Sequence, residues 1–300
     1  MDIEIPKIDH YIIIEYNIMK RNLIFLVAGL MALALTSCRN EGKETTVEIA
    51  WDTLTYNHLI ADQYEAGISY DINVVLPKEG LNEAYTAIRH QLLTHLFAMP
   101  MSYGECDSIK LDLNDAQACL KAYLDANQKC LDDILASFKE DGLEAPPYDI
   151  HWECNNTLKP VMVNDTLITF LLNYANYAGG AHGIHGAVYM TFDTQTGEQL
   201  HDKDIFLKGT DEQLNHLLQN SLMHYCEKFE EQALTTADFE IDMLHINDNF
   251  YLTPDSIYYT YNVYEIAPYA YGSHTFGFSA KEALPYLNKE SLAYKYWNLK

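Results

Sequence analysis

The chain has 300 residues, 48% of them hydrophobic, and carries 43 acidic against 19 basic side chains, a formal net charge of −24. That length and apolar content support a sizeable core in one or two domains. So acidic a chain repels a phosphate backbone, which excludes nucleic acid as a partner and leaves basic proteins, cations or plain solubility as what the surface charge serves.

In chain order, residues 1–18 place Asp2, Glu4, Asp9 and Glu15 ahead of the first basic pair and fit no export signal, so they read as an over-called start, with Met19 as the true one. From Met19, Lys20 and Arg21 lead into the uncharged apolar run Leu23 to Leu35. As a helix that run reaches only about 20 Å, short of a bilayer core of roughly 30 Å. It therefore reads as a secretory signal peptide over 19–37 and not as a span. The ending Leu35-Thr36-Ser37-Cys38 resembles the bacterial lipobox. That resemblance implies cleavage before Cys38, acylation of its thiol, and a lipid-anchored chain in the cell envelope, periplasmic or surface-facing. Residues 38–46 then read as a polar tether.

Strand-like patches follow at Val47 to Tyr56 and at Ile68 to Leu76, where Ile68, Tyr70, Ile72 and Val74 alternate with Ser69, Asp71 and Asn73. Leu81, Tyr85, Ile88, Leu92 and Leu96 fall at helical spacing. A second helix opens at Asn114-Asp115-Ala116-Gln117 and runs to Phe138, ended by Asp141-Gly142 and Pro146-Pro147. From Tyr148 to Leu200 the pattern becomes an antiparallel meander, with turn signals at Asn155-Asn156, Asn164-Asp165 and Thr196-Gly197. Thr210-Asp211-Glu212-Gln213 opens a third helix carrying Leu214, Leu218, Leu222 and Tyr225 on one face. Strands around Phe250 to Leu252, Ile257 to Val263 and His274 to Phe278 close the chain, with a helical turn opened by Ser279-Ala280-Lys281-Glu282. Strands and helices segregate, so the expected fold class is α+β: antiparallel sheets with segregated helices in two small subdomains.

Five cysteines remain once Cys38 is acylated: Cys106, Cys119, Cys130, Cys154 and Cys226. Cys119 and Cys130 are eleven residues apart on one expected helix, about 16 Å, where a disulfide tolerates only about 7 Å. The spacings match no zinc motif, so buried thiols are the default, with Cys106–Cys154 as a possible bridge.

Two stretches carry a family resemblance. Tyr174-Ala175-Asn176-Tyr177-Ala178-Gly179-Gly180-Ala181-His182-Gly183, followed by Phe192-Asp193-Thr194-Gln195-Thr196-Gly197-Glu198, resembles the signature of a domain of unknown function shared by RsiV-type anti-sigma factors and PdaC-type peptidoglycan deacetylases. Tyr251-Leu252-Thr253-Pro254-Asp255-Ser256-Ile257 with Tyr264-Glu265-Ile266-Ala267-Pro268-Tyr269-Ala270-Tyr271-Gly272 is similar to its closing motif. The resemblance implies a two-part ectodomain: an amino-terminal PdaC-like α+β domain over 47–182 and the carboxy-terminal module over 183–300. In the deacetylases the chemistry belongs to a separate domain, whose paired metal motifs have no counterpart here. RsiV-type proteins bind lysozyme through this module, but they carry a cytoplasmic segment and a transmembrane helix where this chain has its lipobox.

Gly179 and Gly180 give a bend that either tightens two strands or presents backbone N–H groups and His182 to a ligand, with Tyr174 and Tyr177 beside it. His182 and His185 could be two metal ligands, yet zinc sites generally want a third, and Gly183 and Gly186 break any helix between them, so no metal or other cofactor is expected. Twenty-three tyrosines against eleven phenylalanines exceed what a core needs and suit a contact surface, although tyrosine is also a good strand former. Alternation puts Tyr259, Tyr261 and Val263 on one face and Tyr258, Thr260 and Tyr264 on the other. Glu265 reads as a pin for its turn. The chain contains no Gly-x-Ser-x-Gly elbow and places no nucleophile beside a base, so no catalytic residue is assigned. The resulting expectation is a non-catalytic envelope lipoprotein that binds or senses peptidoglycan fragments or a lysozyme-like basic protein through Tyr174, Tyr177, Gly179, Gly180, His182, Tyr264, Glu265 and Tyr269. The alternatives are a metal-dependent glycan hydrolase or deacetylase and a structural envelope assembly protein.

Overall fold

The computed structural model describes residues 49–60, 66–101, 108–142, 150–228 and 235–299. The signal peptide, Cys38, the tether, Cys106 and Pro146-Pro147 lie outside the described residues. No described helix is long and apolar enough to cross a membrane.

The first strand, β1 (Trp51–His58), starts later and runs further than the sequence pattern suggests, and pairs antiparallel with β2 (Gly67–Pro77). Two helices follow, α1 (Glu83–Phe97) and α2 (Ala116–Glu140). Asn82 caps α1 by accepting from the Tyr85 N–H, which leaves Leu81 outside the helix, and Asp115 caps α2 by accepting from the N–H groups of Gln117 and Ala118. The chain returns as β3 (His151–Val163), then β4 (Leu167–Tyr177) and β5 (Ile184–Asp193), to complete a sheet in the order β1-β2-β3-β4-β5.

Two expectations fail in this sheet. Asn155-Asn156 is no turn; both residues sit in the middle of β3, because Trp152, Cys154, Asn156 and Leu158 keep a period-two buried row running through them. Nor is the sheet wholly antiparallel. Strands β2 and β3 are joined through α1 and α2, and that crossover lets them lie parallel, Gly67 opposite His151. The meander β3-β4-β5 is antiparallel, and its first turn is held by Asn164, whose side-chain oxygen accepts from the N–H groups of Thr166 and Leu167.

Buried rows from all five strands meet α1 and α2 in a first core built around Ile72, Val74, Ile88, Leu92, Phe97, Trp152, Phe170 and Phe192. The opposite face of the sheet is left to solvent over much of its area, as at Asp71, Asn73, Asn155, Thr157 and Asn173.

The remaining chain forms α3 (Asp202–Ile205), α4 (Asp211–Lys228), a three-stranded sheet β6 (Phe250–Leu252), β7 (Ser256–Tyr261) and β8 (His274–Ser279), then α5 (Ala280–Ala283) and α6 (Leu292–Tyr296). The Thr210 hydroxyl donates to the Leu207 carbonyl at the start of α4. Ser279 and Glu282 form a reciprocal capping box on α5. Leu214, Leu218 and Leu222 of α4 pack with Tyr259, Tyr261, Phe276 and Phe278 in a second core. Leu167, on β4 of the first sheet, belongs to it as well. The fold is α+β, with mostly antiparallel strands. The division expected at 182/183 falls in the loop between β4 and β5, two hydrogen-bonded strands of one sheet.

Candidate functional site

The outer edge of β5 meets the second sheet through side chains acting as a partner strand. Asn262 accepts from the Ala187 N–H at 2.8 Å and donates to the Ala187 carbonyl at 3.1 Å; Asn249 accepts from the Tyr189 N–H and donates to the Ala187 carbonyl, both at 2.8 Å. A carboxamide carries the donor and acceptor of a peptide group, so two of them pair an edge strand that would otherwise be unmatched. Gly186 is required at this seam. A Cβ there would lie 2.5 Å from Asn262 Oδ1 and 2.6 Å from the Tyr174 hydroxyl.

Above the seam the chain brings together rings from two distant segments. The first is the 178–183 loop, in which Gly179 and Gly180 have φ of 94° and 90°, a region closed to most side-chain-bearing residues. The second is the turn after β7, where Tyr264 is itself left-handed at φ 69°. Its carboxylate neighbour Glu265 accepts from the Asn262 N–H at 2.9 Å and holds the turn closed. His182 stacks on Tyr269 with centroids 4.2 Å apart, and its Nε2 lies 3.0 Å from the Tyr264 hydroxyl. The Nδ1 of His182 lies 2.9 Å from the Gly183 carbonyl, which can only accept, so Nδ1 donates there and leaves Nε2 to the Tyr264 hydroxyl. His185 meets the edge of the same Tyr269 ring, with the hydroxyl 3.3 Å from its Nδ1.

Next to these rings lies a shallow cavity of about 350 Å³ lined by Glu153, Asn155, Asn176, Tyr177, His185 and Tyr269, among others. The Asn176 side-chain oxygen is buried and has no hydrogen-bond partner among the described residues. Strand alternation sends it to the face of β4 that carries Leu172, opposite Ala175 and Tyr177, so it lies off the wall a ligand could touch. Apolar ring faces beside the Asn155 carboxamide and the Glu153 carboxylate suit a polyhydroxylated or amide-bearing ligand, whose hydroxyls both donate and accept.

Of the eight ligand-binding candidates, His182, Tyr264 and Tyr269 form the ring cluster and Tyr177 lines the cavity, its hydroxyl donating to the Gly180 carbonyl at 3.0 Å. Gly179 and Gly180 shape the loop. Tyr174 sits beneath, half-buried; burial, and then the Glu265 charge, raise its phenol above the ordinary value and keep it a neutral donor. Glu265 pins the turn. Glu153 and Asn155 carry no motif that marks them as site residues, and His185 reads in the sequence only as a possible metal ligand. The period-two burial of β3 was the signal that would have exposed Glu153 and Asn155. The four described cysteines, Cys119, Cys130, Cys154 and Cys226, are not among the cavity's lining residues, and Cys119 and Cys130 do share α2.

Residues 203–280 match the family model described as "Protein of unknown function (DUF3298)". That span holds Tyr264, Glu265 and Tyr269, while Tyr174 to His182 precede it. No curated protein matches the chain. Among solved structures, a DUF3298 family member from Bacteroides fragilis NCTC 9343 superposes with a TM-score of 0.65 at 20% identity, covering 84% of this chain and 98% of that one. A DUF3298 family protein from Pseudomonas aeruginosa PAO1 gives 0.53 at 19% identity, covering 80% and 94%. At such identities the likeness speaks for the fold alone. Residues 203–280 are thus a DUF3298-type module, set in a fold shared with DUF3298 proteins of known structure.

Proposed function

We propose that this chain is a non-catalytic, lipid-anchored envelope protein that binds peptidoglycan-type glycan fragments at the His182–Tyr264–Tyr269 cluster and the adjoining cavity. The observation that carries the reading is the His182 ring stacked on Tyr269 at 4.2 Å beside a cavity walled by Tyr177, His185 and Tyr269. Such a site offers a ring face for a sugar and hydrogen-bonding groups around it. The anchor rests on Leu35-Thr36-Ser37-Cys38; palmitate labelling of the wild type that disappears in Cys38→Ser checks it.

Calorimetric titration of the full chain in detergent with muropeptides tests the ligand. Tyr269→Ala and His182→Ala are expected to weaken binding about tenfold or more, the loss of a stacked ring and its hydrogen bonds. Wild-type affinity in both variants, with the fold intact, overturns the reading. A second reading is favoured by the net charge of −24: a lysozyme-like basic protein as the ligand, whose capture would weaken steeply with added salt.

A further inference from the structure

The solvent-facing side of the five-stranded sheet has a composition that strand propensity does not explain. Register aligns one row across the strands as Thr55, Asn73, Thr157, Asn173 and Ala187. The next row runs Asn57, Asp71, Asn155, Ala175 and His185. All of these but Ala187 and His185 are exposed. Asparagine is among the residues strands disfavour, and an ordinary solvated strand face is filled by threonine and charged residues. Four asparagines on one face run against local preference without repaying it in the core, because the carboxamides of Asn57, Asn73 and Asn173 bond to nothing among the described residues, and Asn155 reaches only the Ala175 carbonyl at 3.3 Å. A local rule broken at several aligned positions is the mark of a functional surface.

Charge narrows what that surface fits. In a chain with 43 acidic and 19 basic side chains, the two rows hold a single formal charge, Asp71. A basic protein would be met by carboxylates; a neutral chain rich in hydroxyl and amide groups is met by carboxamides and hydroxyls, which donate and accept as it does. The second row also ends at the cavity, since Asn155, Ala175 and His185 line it beside Tyr269. Four strand spacings of about 4.8 Å make the rows roughly 19 Å long, far more than one sugar ring needs.

The geometry points to an extended subsite for a neutral glycan chain, lying across the strands from the Tyr269 cavity over the asparagine and threonine rows towards β1. It rests on the glycan reading above and deepens it: the cavity takes the chain's end, and the sheet face takes its length.

The test is calorimetric titration of the full chain in detergent with N-acetylglucosamine oligomers, the dimer against the pentamer. The pentamer is expected to bind roughly tenfold to thirtyfold more tightly, the equivalent of about two ordinary neutral hydrogen bonds. Asn73→Ala with Asn173→Ala removes that gain and leaves dimer affinity unchanged; Asn73→Thr with Asn173→Thr, better strand formers that keep a hydroxyl, restores most of it. Equal affinity for dimer and pentamer, or a gain that survives the alanine pair, overturns the extended subsite while leaving the cavity standing. Wild-type dimer affinity in Tyr269→Ala, with the length gain kept, sinks the cavity reading and keeps the sheet face. No binding at any length, or salt-sensitive capture of a lysozyme-like protein that the alanine pair abolishes, overturns both.

Discussion

At the scale of single residues, the second core contains a group whose charge the fold suppresses. His274 is 2% exposed, lies against the ring edges of Tyr225 and Phe239, and has Nδ1 3.2 Å from the Tyr225 hydroxyl while its Nε2 finds no partner among the described residues. Burial lowers its pKa below the ordinary histidine value of about 6.5. As pH falls through that value, the unfolded chain takes up a proton that the folded chain refuses. Stability is therefore full above about pH 6.5, declines from there down to the lower folded value, and levels off beneath it. Thermal melts should give a lower Tm at pH 5 than at pH 7, with a smaller difference in His274→Gln. An equal difference in that variant would show that His274 is not its source.

The site was only partly legible at this scale. The glycine pair, His182 and the tyrosines announced themselves by type and by their motif. Their meeting did not, because His182 and Tyr264 are 82 residues apart and only the seam brings them into hydrogen-bonding distance. Nothing local marked Asn249 and Asn262 as strand substitutes, since a carboxamide that pairs with another strand's backbone looks in sequence like any loop asparagine.

At the scale of elements, periodicity read well wherever one face was buried. All three long helices, β2, β4 and all three strands of the second sheet are visible because core contact imposes its period on the residues. Period two failed at β3, where Asn155-Asn156 carries the composition of a turn while occupying a strand. The parallel pairing of β2 with β3 was not legible either: a strand's own pattern does not say which neighbour it takes or in which direction. The seam is the element most open to test. Asn262→Leu leaves the Ala187 N–H without its acceptor at a half-buried edge, which should cost about 1–3 kcal/mol in urea unfolding. A variant as stable as the wild type would mean that water replaces the side chain at no cost.

At the scale of the whole molecule, the described residues between 49 and 299 form one compact unit with two hydrophobic clusters. They share β4, which sends Ile168, Phe170 and Leu172 into the first and Leu167 into the second. Trp152 lies in the first and Trp297 in the second, so each reports on its own half. With a strand in common, the halves should unfold together. Urea transitions followed by far-UV circular dichroism and by the fluorescence of Trp152-only and Trp297-only variants are expected to coincide. Midpoints separated beyond error would mean that the clusters are independent folding units joined only by the carboxamide seam.

The parallel pair of β2 and β3 also sets the order in which the protein can assemble. The first hairpin emerges early, yet its inner neighbour begins only at His151, after both helices. Until that late segment is in place, β2 presents a bare apolar row to whatever is nearby, and closing so long a loop is slow compared with forming a hairpin or a helix. Synthesis from one end thus leaves a half-built sheet waiting for its centre, the stage at which a holdase would have most to protect and a premature stop would leave the stickiest fragment.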